Sequence, residues 1–184
     1  MRVSVILRCS PWQNAKGAAV TNNDILRRFR YALDISNPKM LEIFRVAGHE
    51  IEQTALLALL KKEGEEGFLD CSNSLLEGFF DGFITVRRGK QESVSPKPAT
   101  AGKERTNNII LRKMRIALEM KDEDMLAVMG LAGVTVTKSE LGALFRGKEH
   151  KNYKECGDQF LRSFLNGLTN RYRGETGTDQ WHKS

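Results

Sequence analysis

The sequence predicts an all-α protein made of two tandem homologous four-helix modules, each containing a helix-turn-helix-like hairpin. Three observations carry the prediction. First, TNNDILRRFRYAL at Thr21 returns as TNNIILRKMRIAL at Thr106. Sliding Thr21–Gly89 onto Thr106–Gly174 needs no gap and gives 22 identities in 69 positions, among them Ile25/Ile110, Arg30/Arg115, Met40/Met125, Gly48/Gly133, Leu56/Leu141, Cys71/Cys156 and Gly82/Gly167. An ungapped match of that length marks an internal duplication. Second, apolar residues recur at the spacing of a helix face. Third, no stretch alternates with period two for long enough to argue a sheet.

The elements follow in order. In the first helix Ile25, Phe29 and Leu33 form the stripe, widened by Leu26 and Ala32, and the second copy offers Ile110, Met114 and Leu118. The second helix starts with Asn37 as a cap and Pro38 in the first turn. Its counterpart puts Asp122 at the cap and more acids in the first turn, where the helix dipole favours them. Gly48 and Gly133 are natural stops. The third helix of copy two opens on TKSE, a capping box of Thr137 and Glu140, and Gly147 closes it. The fourth begins near Asn73 and near Asp158, with Leu76, Phe79, Phe80 and Phe83 as its inner face in copy one.

The domain reading is an extension over 1–20, repeat 1 over 21–90, a flexible linker over 91–105, repeat 2 over 106–174 and a disordered tail over 175–184. KQESVSPKPATAGKE between the repeats is rich in Pro, Ser and Lys and lacks apolar periodicity.

Bulk composition narrows the function classes. The chain has 184 residues, 40% hydrophobic and 28% charged, ordinary for a soluble globular protein. No apolar run approaches the roughly 18 residues of a membrane helix. The apolar run in MRVSVILRCSPW is too short for a signal peptide. A cytoplasmic location is expected, with no membrane partner. Three cysteines without a CxxC pair argue against a zinc site or a disulfide scaffold. No metal cluster, phosphate loop or nucleophile elbow is present, so no cofactor, metal or catalytic residue is assigned. The net charge of +6 is uneven: residues 1–20 carry +3, 21–90 carry −1 and 106–174 carry +4.

TNNDILRR, TNNIILRK and LFRGKEHKNYKECGDQFLRSFLNGL resemble the YehS-like family of small bacterial proteins, which carry two copies of a domain of unknown function. The resemblance covers about residues 20–174. It implies a cytosolic bacterial protein and brings no established activity, so no functional residues transfer. Members of that family begin with Met at the position before TNN. Val20 stands there, and an internal GTG start codon reads as Val. Residues 1–19 are therefore expected to be an upstream extension outside the natural protein.

Four candidate sites remain. DMLAVMGLAGVTVTKSELGALFRG sets a helix, a turn at Gly133 and a capped helix, the order by which a helix-turn-helix enters the major groove. Its outward residues would be Lys138, Ser139, Gly142 and Arg146. The competing reading is a plain helical hairpin, and the matching helix of copy one has Ala55 and Ala58 where base-reading side chains are wanted. The second candidate is the loop RGKEHKNYKE. It gathers Arg146, Lys148, Lys151 and Lys154 with His150 and Tyr153, cations for phosphate and an aromatic for a base. The same loop in copy one reads KKEGEEGFLD and is acidic. The third candidate is Cys71 and Cys156 before the fourth helices, either as reactive thiols or as small packing residues. The fourth is Arg27/Arg30 with Arg112/Arg115, either an anion site or partners of Asp34 and Glu119 one turn on.

The expected function is a non-enzymatic binding protein that engages nucleic acid through repeat 2. The alternatives are a protein-interaction or regulatory module, including a homodimer, and an enzyme of unrecognised type.

Overall fold

A computed structural model describes residues 19–89 and 107–174. The expected amino-terminal extension (apart from Ala19 and Val20), the linker and the tail lie outside the described residues. Within them the secondary structure is helical throughout. The helices are α1 (Asn22–Ala32), α2 (Asn37–Val46), α3 (Gln53–Leu59), α4 (Asn73–Arg88), α5 (Asn107–Ala117), α6 (Asp122–Leu131), α7 (Lys138–Leu144) and α8 (Asp158–Arg173). The first four belong to repeat 1 and the last four to repeat 2.

Local sequence sets the ends. The Thr21 hydroxyl accepts the Asp24 N–H and starts α1. α2 begins one residue earlier than the Asn37–Pro38 signal suggests, because Ser36 is the cap and accepts the Lys39 N–H. Lys121 likewise precedes Asp122 at α6, and the Asp124 carboxylate accepts the Lys121 N–H at 3.0 Å. That bond and the guanidinium of Arg171 hold the Asp124 carboxyl below its ordinary value. The Thr137–Glu140 capping box forms in both directions. Gly48 and Gly133 take φ of +82° and +73°, the left-handed turn after α2 and α6. α7 ends at Leu144, before Gly147.

Two further left-handed residues are not glycines: Asp34 (φ 51°) and Glu119 (φ 53°). They close α1 and α5 in a Schellman pattern, with Ile35 N–H on Arg30 C=O and Met120 N–H on Arg115 C=O. Ile35 and Met120, the residues that follow, are buried. This turn overturns the expected Arg30–Asp34 and Arg115–Glu119 pairs, because the fourth residue on no longer lies on the helix face. Arg30 instead donates to Asn37 at 2.8 Å, and Arg115 pairs with Asp122 at 2.7 Å. Asp34 and Glu119 reach the other repeat, meeting Arg173 and Arg88 at the ends of α8 and α4.

The repeats interlock. α1 packs along α8 and α5 along α4, while α2 lies on α4 and α6 on α8. α1, α4, α5 and α8 thus form a central four-helix array related by a pseudo-twofold, with α2–α3 and α6–α7 outside it. One continuous apolar core runs through both repeats, from Val20 and Ile25 to Leu165 and Leu168. In repeat 1 it is aromatic: Phe29 meets Phe80 edge-on at 5.0 Å and Phe83 at 5.3 Å. Repeat 2 fills the same space with Met114 and leucines.

Gly82 and Gly167 permit the closest helix approaches. A Cβ on Gly82 would stand 2.1 Å from the Ile43 carbonyl oxygen of α2, and one on Gly167 would stand 2.0 Å from the Val128 carbonyl oxygen of α6. Both obstacles are backbone and cannot swing aside. Gly82→Ala and Gly167→Ala are each expected to cost about 2 kcal/mol or more. Gly130→Ala, in open space within α6, should be neutral or stabilise by up to about 1 kcal/mol. Urea unfolding followed by circular dichroism checks the contrast; equal effects at all three positions would contradict the packing.

Candidate nucleic-acid interface

The repeated TNN has a structural task that its repetition did not reveal. Asn23 and Asn108 are polar residues buried to 2% and 6% exposure. The Asn108 amide donates to Leu144 C=O at 2.8 Å and to Lys154 C=O at 2.9 Å, and its oxygen accepts the Cys156 N–H at 2.8 Å. Asn23 makes the same three bonds to Leu59, Leu69 and Cys71. The neighbours Asn107 and Asn22 bond the Cys156 and Cys71 carbonyls and the first side chain of the following helix, Asp158 or Asn73. One asparagine pair therefore nails each long α3–α4 or α7–α8 loop to the start of the repeat's first helix. The repetition flagged the amide pair without its task, because its partners lie 36 to 48 residues further along the chain.

On that frame the repeat-2 loop folds as consecutive turns. His150 N–H bonds Gly147 C=O at 2.9 Å, Tyr153 N–H bonds His150 C=O at 2.8 Å, and Lys154 N–H bonds Ala143 C=O at 3.1 Å. The Nδ1 of His150 accepts the Asn152 N–H at 3.1 Å, and Arg146 donates to Asn152 C=O at 3.2 Å. Lys148, His150 and Lys151 are exposed at the tip, and neither lysine makes an ion pair among the described residues. Tyr153 and Lys154 are half-buried, and burial pushes the Tyr153 phenol above its ordinary value. The structure thus brings together Arg146, Lys148, His150, Lys151, Tyr153 and Lys154. Three of them form the exposed tip, while Arg146 and Tyr153 brace it.

Lys138 and Ser139 stand apart at the first turn of α7. Both are exposed, and Lys138 pairs with Glu123 at 2.9 Å; that hydrogen bond raises the Lys138 pKa and lowers that of Glu123. The pair draws the start of α7 back beside the first turn of α6. Residues 132–137 connect the two helices, a longer path than the three- or four-residue turn of a helix-turn-helix. Leu141, Ala143 and Leu144 of α7 are buried, which leaves a short helix with few outward positions.

The remaining candidates resolve structurally. Cys71 and Cys156 are buried, at 1% and 2% exposure, and burial pushes the Cys156 thiol up to about 12. They are packing residues rather than nucleophiles. Arg27 donates to Lys61 C=O and pairs with Asp24, and Arg112 donates to Phe145 C=O at 2.6 Å. These arginines cap the carbonyl ends of α3 and α7. Among the described residues no group of His, Cys, Asp and Glu could hold a metal ion, and no helix is long and apolar enough to cross a membrane.

Comparison with known proteins gives a consistent relationship. The family described as "Protein of unknown function (DUF1456)" matches twice, over residues 22–89 and 107–174. The chain is similar to "Uncharacterized protein YehS" of Escherichia coli (strain K12), 41% identical over 157 residues that cover 85% of this chain and 99% of that protein. No solved structure matches the chain.

Two outcomes test the loop frame. Asn108→Ala leaves two carbonyls and an N–H without their partner, and is expected to cost about 3 kcal/mol, read as a lowered urea midpoint. With its pKa raised, Cys156 is a neutral thiol up to strongly alkaline pH. A thiol reagent at pH 8 should leave Cys71 and Cys156 unmodified in the folded chain and label both in urea, with mass spectrometry locating the label. Rapid labelling of either in the native chain would contradict their burial.

Proposed function

We propose that this chain, which belongs to the DUF1456 family and carries two copies of its domain, is a cytosolic binding protein that engages the phosphate backbone of nucleic acid through repeat 2. One observation carries the proposal: Lys148, His150 and Lys151 project from a loop tip that is braced by its own turns and by Asn108. The backbone that carries them is already ordered, so only side-chain freedom is lost on meeting a phosphate, and lysines without carboxylate partners need not break a bond first. The divergence of the repeats supports the same reading. The matching loop of repeat 1 has the same frame, with Leu69 N–H on Ala58 C=O, yet carries Glu63, Glu65 and Glu66. Base-specific reading by α7 is not part of the proposal, since Lys138 is engaged by Glu123 and Ser139 alone reads little.

A protein partner is favoured by a different feature. Leu57 and Leu69 of repeat 1 are each 45% exposed, beside the acidic loop, where repeat 2 has Gly142 and Lys154. An apolar pair edged by carboxylates suits a basic, partly apolar protein surface.

Salt separates the two. Fluorescence anisotropy should show binding to duplex DNA, single-stranded DNA or RNA that weakens steeply with salt. Lys148→Glu with Lys151→Glu should weaken it at least tenfold at low salt. The log–log salt slope for a duplex should flatten by about 2, one unit per lost phosphate contact. No binding to any of the three at low salt would end the nucleic-acid reading.

A further inference from the structure

The interlocked repeats create a groove between α1 and α8, closed at one end by the last turn of α6. It has a volume of about 600 Å³ and is lined by Arg27, Arg28, Tyr31, Leu131, Asn166 and Asn170, among others. That is within the size range of small-molecule sites, and of its lining the sequence singled out only Arg27, as part of a candidate anion site. We propose that this groove binds one nucleotide unit, with its base stacked on Tyr31 and its phosphate against Arg27 and Arg28.

Tyr31 is the first observation. It is 56% exposed, while the Arg173 guanidinium lies over its ring at 4.2 Å. Arg173 is fixed in turn by Asp34. One face of the ring is therefore covered by Arg173, and Tyr31 also lines the groove, which leaves the opposite face as the one a base would meet. A ring immobilised from behind is a stacking platform, because a base landing on it orders nothing further.

The amides are the second. Asn166 and Asn170 sit one turn apart on α8 and share a face. The Asn166 oxygen accepts from Arg28 at 3.1 Å, which leaves its NH₂ as donor. The Asn170 NH₂ donates to Leu131 C=O at 2.9 Å, which leaves its oxygen as acceptor. One donor and one acceptor on a single wall match the edge of a nucleobase.

Charge is the third. Arg27 and Arg28 share one carboxylate, Asp24, and Arg27 also donates to the Lys61 carbonyl oxygen; the cluster keeps a net positive charge, and each guanidinium has further N–H donors for a phosphate. The pseudo-symmetric position between α4 and α5 has lost all three features. Ile116 replaces Tyr31, Asp81 replaces Asn166 and Thr85 replaces Asn170, and Lys113 is drawn onto Asp81 at 2.8 Å and Glu77 at 3.6 Å. The chain should therefore hold one nucleotide, not two.

The groove is built from α1 and α8 and uses none of the loop cations of repeat 2, so the two readings fail separately. The test titrates the full chain with adenosine and uridine 5′-monophosphates and with a short oligothymidylate, by isothermal calorimetry and by two-dimensional NMR. Saturable 1:1 binding is expected. Tyr31→Ala should weaken it roughly tenfold, whereas Tyr31→Phe and the symmetric control Ile116→Ala retain it. Asn166→Asp, which copies the other groove, should weaken it through charge. Lys148→Glu with Lys151→Glu should leave monophosphate binding unchanged. Saturation by the monophosphates identifies the free nucleotide as the source; Tyr31-dependent binding of the oligonucleotide alone identifies a strand. Tyr31 is exposed, so its variants should keep the native melting temperature. Absence of saturable binding to any probe overturns the proposal, as does binding that Tyr31→Ala leaves intact in a folded chain.

Discussion

Neither repeat fully covers its own first helix: Phe29 of α1 meets Phe80 and Phe83 of α4 within repeat 1, but most of the packing along α1 comes from α8. α1 lays its apolar stripe along α8 and α5 lays its stripe along α4, so each half supplies the partner that the other lacks. The scale of this constraint exceeds that of the visible polar links between the halves. Burying one Phe or Leu contributes roughly 1.5–3 kcal/mol, and Phe29, Met114, Phe160 and Phe164 are all fully buried. The inter-repeat ion pairs Asp34–Arg173 and Arg88–Glu119 are largely exposed, and Lys113 on Asp81 and Glu77 is the more buried link; exposed pairs contribute about 0–1 kcal/mol each. Those pairs set orientation, while the shared core holds the halves together.

Fixing the helices in this way leaves the connections and the outward helix positions as places where the repeats can differ. The asparagine clamps allow that difference without loss of shape. Asn23 and Asn108 bind backbone groups, so the side chains at the tip of each loop can differ while its backbone turns stay the same. Repeat 1 places glutamates on its loop and repeat 2 places lysines and a histidine, over the same hydrogen-bonded frame. The same logic applies between α1 and α8. Backbone position is dictated by the array, and Tyr31 against Ile116 is a free choice made differently on the two sides.

Much of the fold was legible in the sequence. The repeat, the helix count, the Thr137–Glu140 box, the Gly48 and Gly133 turns and the inner face of α4 depend on residues within a few positions of one another. The misread details have local causes as well: Ser36 precedes a Pro-bearing first turn and out-competes Asn37, and the left-handed Asp34 and Glu119 break the four-residue spacing on which the arginine pairs were reckoned. What stayed hidden is long-range. No local pattern shows that Asn108 reaches Leu144 and Cys156, or that Arg173 stacks on Tyr31 from the far end of the chain. The cations of the repeat-2 loop could be found by composition alone; which of them are braced and which are free required the backbone turns of residues 147–154.

Reciprocal packing within a single polypeptide has a consequence for dilution. Two separate copies of one repeat would have to find each other, and their folded fraction would fall with concentration, as in any obligate dimer. Joined in one chain, each half meets its complement at an effective concentration on the order of millimolar, whatever the abundance of the protein. Tethering also removes a restriction on change. In a symmetric pair every substitution appears twice, so a favourable residue at one end is imposed on the other. Here Tyr31 could arise without a second tyrosine at position 116, and Lys151 without a second lysine at Glu66, and the molecule could acquire a front and a back.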